Sequence, residues 1–85
     1  MSEITIGQKI KLYRLKGNLS QFELEQIINA SAGSLCRMET GLVNPTKETL
    51  FALANALCLS KSETAYLFGI IKKEELYNME LKFVL

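Results

Sequence analysis

The stretch "LSQFEL", residues 19–24, constrains this chain more than any other. Ser20 and Glu23 are spaced as a capping box. The serine hydroxyl can accept from the Glu23 backbone N–H while the glutamate reaches back to the Ser20 N–H, and Leu19 and Leu24 can close a hydrophobic staple around it. A helix is therefore expected to start at Gln21, with Leu24, Ile27 and Ile28 on its buried face. Asn29, which tolerates a left-handed backbone, can turn the chain. The next segment, "SAGSLCRMETG", has the outline of another short helix, started by Ser31 and stopped by Gly41. The centre of the chain thus reads as helix, tight turn, helix.

The flanking segments carry the same punctuation. In "TIGQKIKLYRLKGN", Ile6, Ile10 and Tyr13 share one helical face, Arg14 borders that stripe, and the Gly17-Asn18 pair ends the helix. In "LVNPTKETLFALANALCLS", Thr46 can cap a helix whose stripe is Leu50, Leu53, Ala54 and Leu57. A second capping box, Ser60 to Glu63, opens a fifth helix carrying Tyr66, Leu67 and Phe68. The ending, "IIKKEELYNMELKFVL", fits either a sixth amphipathic helix through Leu76, Met79 and Phe83 or a close in a short strand, "LKFVL". Strand-like alternation is weak elsewhere, so the fold class is all-α.

Composition narrows the chemistry. With 85 residues the chain holds one domain with one modest core. It has no histidine and no aspartate, its 9 acidic groups being glutamates, so the usual general bases and catalytic triads are missing and no enzyme is expected. Cys36 and Cys58 are too far apart for a CxxC unit, so no metal site is expected and both thiols read as reduced. No cofactor motif or small-molecule pocket is evident. The longest apolar run without charge, residues 49–60, falls short of the ~20 needed to cross a bilayer, and no export signal is seen, so a cytoplasmic location without membrane attachment is expected.

A net charge of +1 does not announce a nucleic-acid partner. Its distribution matters more: Lys9, Lys11, Arg14 and Lys16 face only Glu3 across residues 1–22. That basic end fits contact with phosphate, or simply a solvated helix face. On the third helix, steps of ~100° from Leu35 put Met38 and Glu39 on the inner side and Gly33, Cys36, Arg37 and Thr40 on the outer side.

"LSQFEL", the spacing to "SLCRMETG", and "NPTKETLFALANALCLS" together resemble the lambda-repressor-like helix-turn-helix domain, the XRE family, over roughly residues 5–70. The resemblance implies a compact bundle of five short helices, with the helix-turn-helix formed by helices 2 and 3 and the third helix, residues 31–40, lying in the major groove. It implies that Ser31, Ala32, Gly33 and Arg37 face bases. Gln21, Ser34, Asn44, Thr46 and Lys47 would meet the phosphate backbone, joined in attracting it by Lys9, Lys11 and Lys16. Arg14 and Glu39 would form a structural ion pair joining helix 1 to the end of helix 3. Residues 1–70 would be the DNA-binding domain and 71–85 an extension that serves dimerisation or begins a further region.

The chain departs from the family pattern in three respects. Glu25 stands where a small residue is usual, and would have to reach solvent or find a cation; Asn29 replaces the usual turn glycine. Ala32 and Gly33 offer few hydrogen-bond donors, so direct readout would rest on Arg37 gripping a guanine, worth ~1–3 kcal/mol of discrimination, with Ala32 against a thymine methyl. Phe22, in the first turn of helix 2, either packs on the staple or marks a partner contact. The implied function is a sequence-specific transcriptional regulator, a repressor, binding double-stranded DNA as a homodimer. The alternative keeps the fold as a protein-interaction or dimerisation module without DNA.

Overall fold

Local capping chemistry sets where the helices begin. The computed structural model describes residues 4–84, with side chains described through residue 78. Six helices occur among these residues and no strand: α1 (Ile6–Lys16), α2 (Gln21–Ile27), α3 (Ser34–Glu39), α4 (Lys47–Ala56), α5 (Lys61–Leu67) and α6 (Lys73–Val84). Complete capping boxes start three of them, Thr5 with Gln8, Ser20 with Glu23 and Ser60 with Glu63. Hydrogen bonds from the Ser20 backbone N–H, and then its hydroxyl, hold the Glu23 carboxyl below the ordinary carboxylate range. Thr46 caps α4 by accepting the Thr49 N–H at 3.2 Å.

Helix ends are equally uniform. After each of α1 to α5 one residue takes a left-handed conformation: Asn18, Asn29, Gly41, Cys58 and Gly69. The N–H groups that follow bond back to the last turn, as in Leu19 to Arg14 O, Ala30 to Glu25 O, Leu42 to Arg37 O, Leu59 to Ala54 O and Ile70 to Ala65 O. This is the Schellman motif, which satisfies carbonyls that would otherwise be orphaned.

Five helices then share one core. Ile10 of α1, Leu24 of α2, Leu35 and Met38 of α3, Leu50 and Leu53 of α4, and Leu67 of α5 form a continuous buried cluster, with Leu19, Ile28, Leu57 and Phe68 at its edge. Each fully buried leucine contributes roughly 1.5–3 kcal/mol. The sixth helix meets α5 and runs to Val84, so residues 81–84 of "LKFVL" continue a helix and do not form the strand that was the other option for them. Met79 and Phe83, expected on its apolar stripe, lie outside the residues whose side chains are described.

Two expectations need correction here. Ile27 is exposed, because the inward face of α2 is the one shared by Leu24, Ile28 and the buried Glu25, and steps of ~100° per residue put Ile27 at the outer edge of that face. The third helix begins at Ser34 and not at Ser31. Gly33 has φ of +84°, which a right-handed helix cannot contain, so residues 31–34 form a separate turn closed by the Ser34 N–H on the Ser31 carbonyl.

Candidate nucleic-acid interface

The C-terminal end of α3 is anchored first by close approach. A Cβ on Gly7 of α1 would sit 2.7 Å from the Glu39 carbonyl oxygen and against the Met38 carbonyl as well, so glycine lets the two backbones touch. Beside that contact, Arg14 donates from Nε to Glu39 Oε2 at 2.7 Å and from Nη2 to Oε1 at 3.1 Å. Arg14 also donates to the Leu19 carbonyl at 2.8 Å, and Gln21 Nε2 donates to Glu39 Oε1 at 3.0 Å. Both charged side chains are nearly sequestered, at 9% and 3% exposure. The hydrogen bonds to Glu39 raise the Arg14 guanidinium above its ordinary value, outweighing the burial that lowers it, and charge attraction adds to the rise. Two-pronged geometry of this kind fixes orientation as well as distance.

The N-terminal end is held by other chemistry. Gly33 provides no side-chain cap. Instead Glu25 of α2, only 4% exposed, accepts the Leu35 N–H on Oε2 at 2.9 Å. The expectation that Glu25 must reach solvent or a cation is therefore wrong: a backbone amide at the start of α3 is its partner, and the positive end of the helix favours a carboxylate there.

Between these anchors the outer face is open. Ser31, Ala32, Gly33, Cys36, Arg37 and Thr40 are exposed, and Met38 and Leu35 are buried beneath them. Arg37 Nη1 lies 3.1 Å from where a Gly33 Cβ would be, so its guanidinium folds back toward the N-terminal end of the helix. A groove of about 410 Å³ separates α3 from the loop before α4 and brings together Ser31, Ser34, Arg37, Asn44 and Thr46. Lys47 is exposed at the first position of α4. Gln21 is not in this groove; it is engaged on Glu39 at the other end of α3.

The basic residues divide. Lys11 and Lys16 are exposed, but Lys9 is 6% exposed, with Nζ on the Tyr66 carbonyl at 2.9 Å and 4.1 Å from the Tyr66 ring centre. Lys9 ties α1 to α5 and is withdrawn from any phosphate, contrary to the sequence expectation. Sequence reading also missed the Thr5–Gln8 box, whose Thr-x-x-Gln spacing is a readable signal. It missed Gly7 as well, which could have been suspected as a small residue at helical spacing from Ile10 and Arg14. Nothing in the sequence marks Glu25 as a cap.

A helix-turn-helix family model matches residues 10–63, which takes in Arg14, both helices of the motif, and α4. The chain belongs to the lambda-repressor-like, XRE-type helix-turn-helix family. An immunity repressor protein of Bacillus phage phi105 is 35% identical over 72 residues, covering 85% of this chain and 50% of that protein. The chain thus spans half the length of this curated relative. No solved structure matches significantly. In this family frame α2 and α3 are the two helices of the motif. None of the described helices is long and apolar enough to cross a membrane.

Proposed function

We propose that this chain is the sequence-specific DNA-binding domain of a transcriptional repressor. It lays α3 in the major groove and acts as a dimer on a two-fold site whose half-sites lie about one helical turn, ~34 Å, apart. The observation that carries the reading is the exposed surface formed by Arg37, on a helix anchored at both ends, and by Ser31, Ala32 and Gly33 in the turn that leads into it. Ser34, Asn44 and Thr46 line the groove beside it. In this reading those residues and Lys47 follow the phosphate backbone, which positions the protein, while Arg37 reads a guanine. Family membership and the phage immunity repressor support it.

Residues 1–70 form the DNA-binding unit and residues 71–85 an extension that serves self-association. Exposed Phe51, Ile70 and Tyr77 leave apolar surface on α4, after α5 and on α6 to meet a second copy. Selection of binding sites from a random duplex pool tests the whole reading. Enrichment of a two-fold motif is expected, and Arg37→Ala should relax base preference at one position per half-site; equal weakening on every sequence would make Arg37 a phosphate contact.

The near-neutral charge of +1 favours a second reading, the same fold used to bind protein alone. Failure to bind any duplex at low salt would select it. Burial of Glu25 counts against it, since that carboxylate caps α3 inside the motif and is not displayed toward phosphate.

A further inference from the structure

We propose that Glu25 is a specificity-determining positioning residue: its buried carboxylate fixes the start of α3, and through it the placement of Ser31, Ala32, Gly33 and Arg37 against base edges. This rests on the DNA-binding reading above.

A six-residue helix has no standing of its own in water, and its first N–H groups need acceptors from elsewhere. Gly33 has no side chain to offer, and the Ser34 hydroxyl is turned away, donating to the Ser31 carbonyl at 2.6 Å. Leu35 is wholly buried, so water cannot serve its amide. Glu25 supplies the acceptor, at 2.9 Å. The same residue's backbone carbonyl accepts the Ala30 N–H at 2.8 Å and so closes the end of α2. One residue therefore grips both sides of the turn, and the segment between its two bonds is the one that carries Ser31, Ala32 and Gly33.

Base readout depends on hydrogen bonds that weaken steeply with misplaced distance and angle, whereas attraction to phosphate tolerates slack. Arg37 folds back toward Gly33, so movement in the first turn of α3 displaces the guanidinium too. Loosening this turn should therefore cost discrimination before it costs general affinity. The acceptor is what matters: glutamine at this position keeps a carbonyl oxygen for the Leu35 amide, and alanine leaves that amide orphaned.

The test compares the full wild-type chain with Glu25→Gln and Glu25→Ala on the selected duplex and on random duplex at one salt concentration, with amide exchange at Leu35 in the free protein. For Glu25→Ala the ratio of selected to random affinity should fall about tenfold, the size of roughly one base contact. Its random-duplex affinity should stay near that of wild type, and its Leu35 amide should exchange faster than amides in α4. Glu25→Gln should behave like wild type in each respect. Where the alanine chain does not fold, Glu25→Asp, one methylene shorter and unable to reach the amide, carries the same expectation. An unchanged ratio in the alanine or aspartate chain overturns the proposal, as does a glutamine chain as impaired as the alanine one. A wild-type chain that binds no duplex overturns the DNA reading, and Leu35 exchange then decides separately whether Glu25 sets the start of α3.

Discussion

Both ends of α3 are held by a glutamate, yet in different ways. At the C-terminal end Glu39 belongs to α3 and meets two side chains, Arg14 from α1 and Gln21 from α2. At the N-terminal end Glu25 belongs to α2 and meets the backbone of α3. A pair of side chains, even in two-pronged contact, acts on the main chain only through the side-chain torsions on both sides. A carboxylate bonded to a main-chain amide fixes the main chain itself. The first arrangement sets how α3 leans on the bundle, and the second sets where the exposed residues 31–33 and Arg37 emerge.

The strongest way to break this contrast is Glu39→Ala, which strands a buried guanidinium. Loss of one partner from a buried pair costs about 3–5 kcal/mol. The melting temperature should fall clearly, and DNA affinity with it; an unchanged melt would show that the pair does not hold α3. Gly7→Ala attacks the same end by contact alone. Alanine normally favours a helix interior by roughly 0.5–1 kcal/mol over glycine, so a loss of about 1–3 kcal/mol from overpacking against the α3 carbonyls reverses the intrinsic sign. A chain stabilised by this change would refute the close approach.

The smallest effect sharpens the comparison. Gln21→Ala removes one of the bonds to Glu39 and should cost about 1 kcal/mol. If melting is unchanged while DNA affinity drops, Gln21 leaves Glu39 in the complex and reaches phosphate, as the family resemblance implies. If both fall together, it acts within the anchor.

The same contrast explains what could be read in the sequence. The Arg14–Glu39 pair was legible through the family resemblance, which implies it, with helical projection in support because it sets Glu39 on the inner side of the third helix. Helix starts at Gln21, Lys47 and Lys61 were legible because Ser20, Thr46 and Ser60 cap with their own side chains. The start of α3 was not. Ser31 has the residue type of a cap, but the left-handed backbone at Gly33 moves the helix to Ser34, and its acceptor comes from ten residues earlier in the chain. A backbone amide leaves no mark on sequence, so Glu25 looked like a charge in need of solvent. Lys9 misled in the same way: its partner is a carbonyl and a ring on α5, distant in the chain. Cys58 takes the left-handed position that Asn or Gly holds after the other helices, and its residue type gives no hint of it.

Those repeated helix endings bear on how fast the protein can assemble. Each reversal from α1 to α5 is closed by hydrogen bonds spanning only a few residues, so the chain changes direction without first bringing distant segments together. Little loop-closure entropy opposes such steps, and small helical domains built this way fold in roughly microseconds to milliseconds. A newly synthesised copy therefore spends very little time with its apolar stripes uncovered.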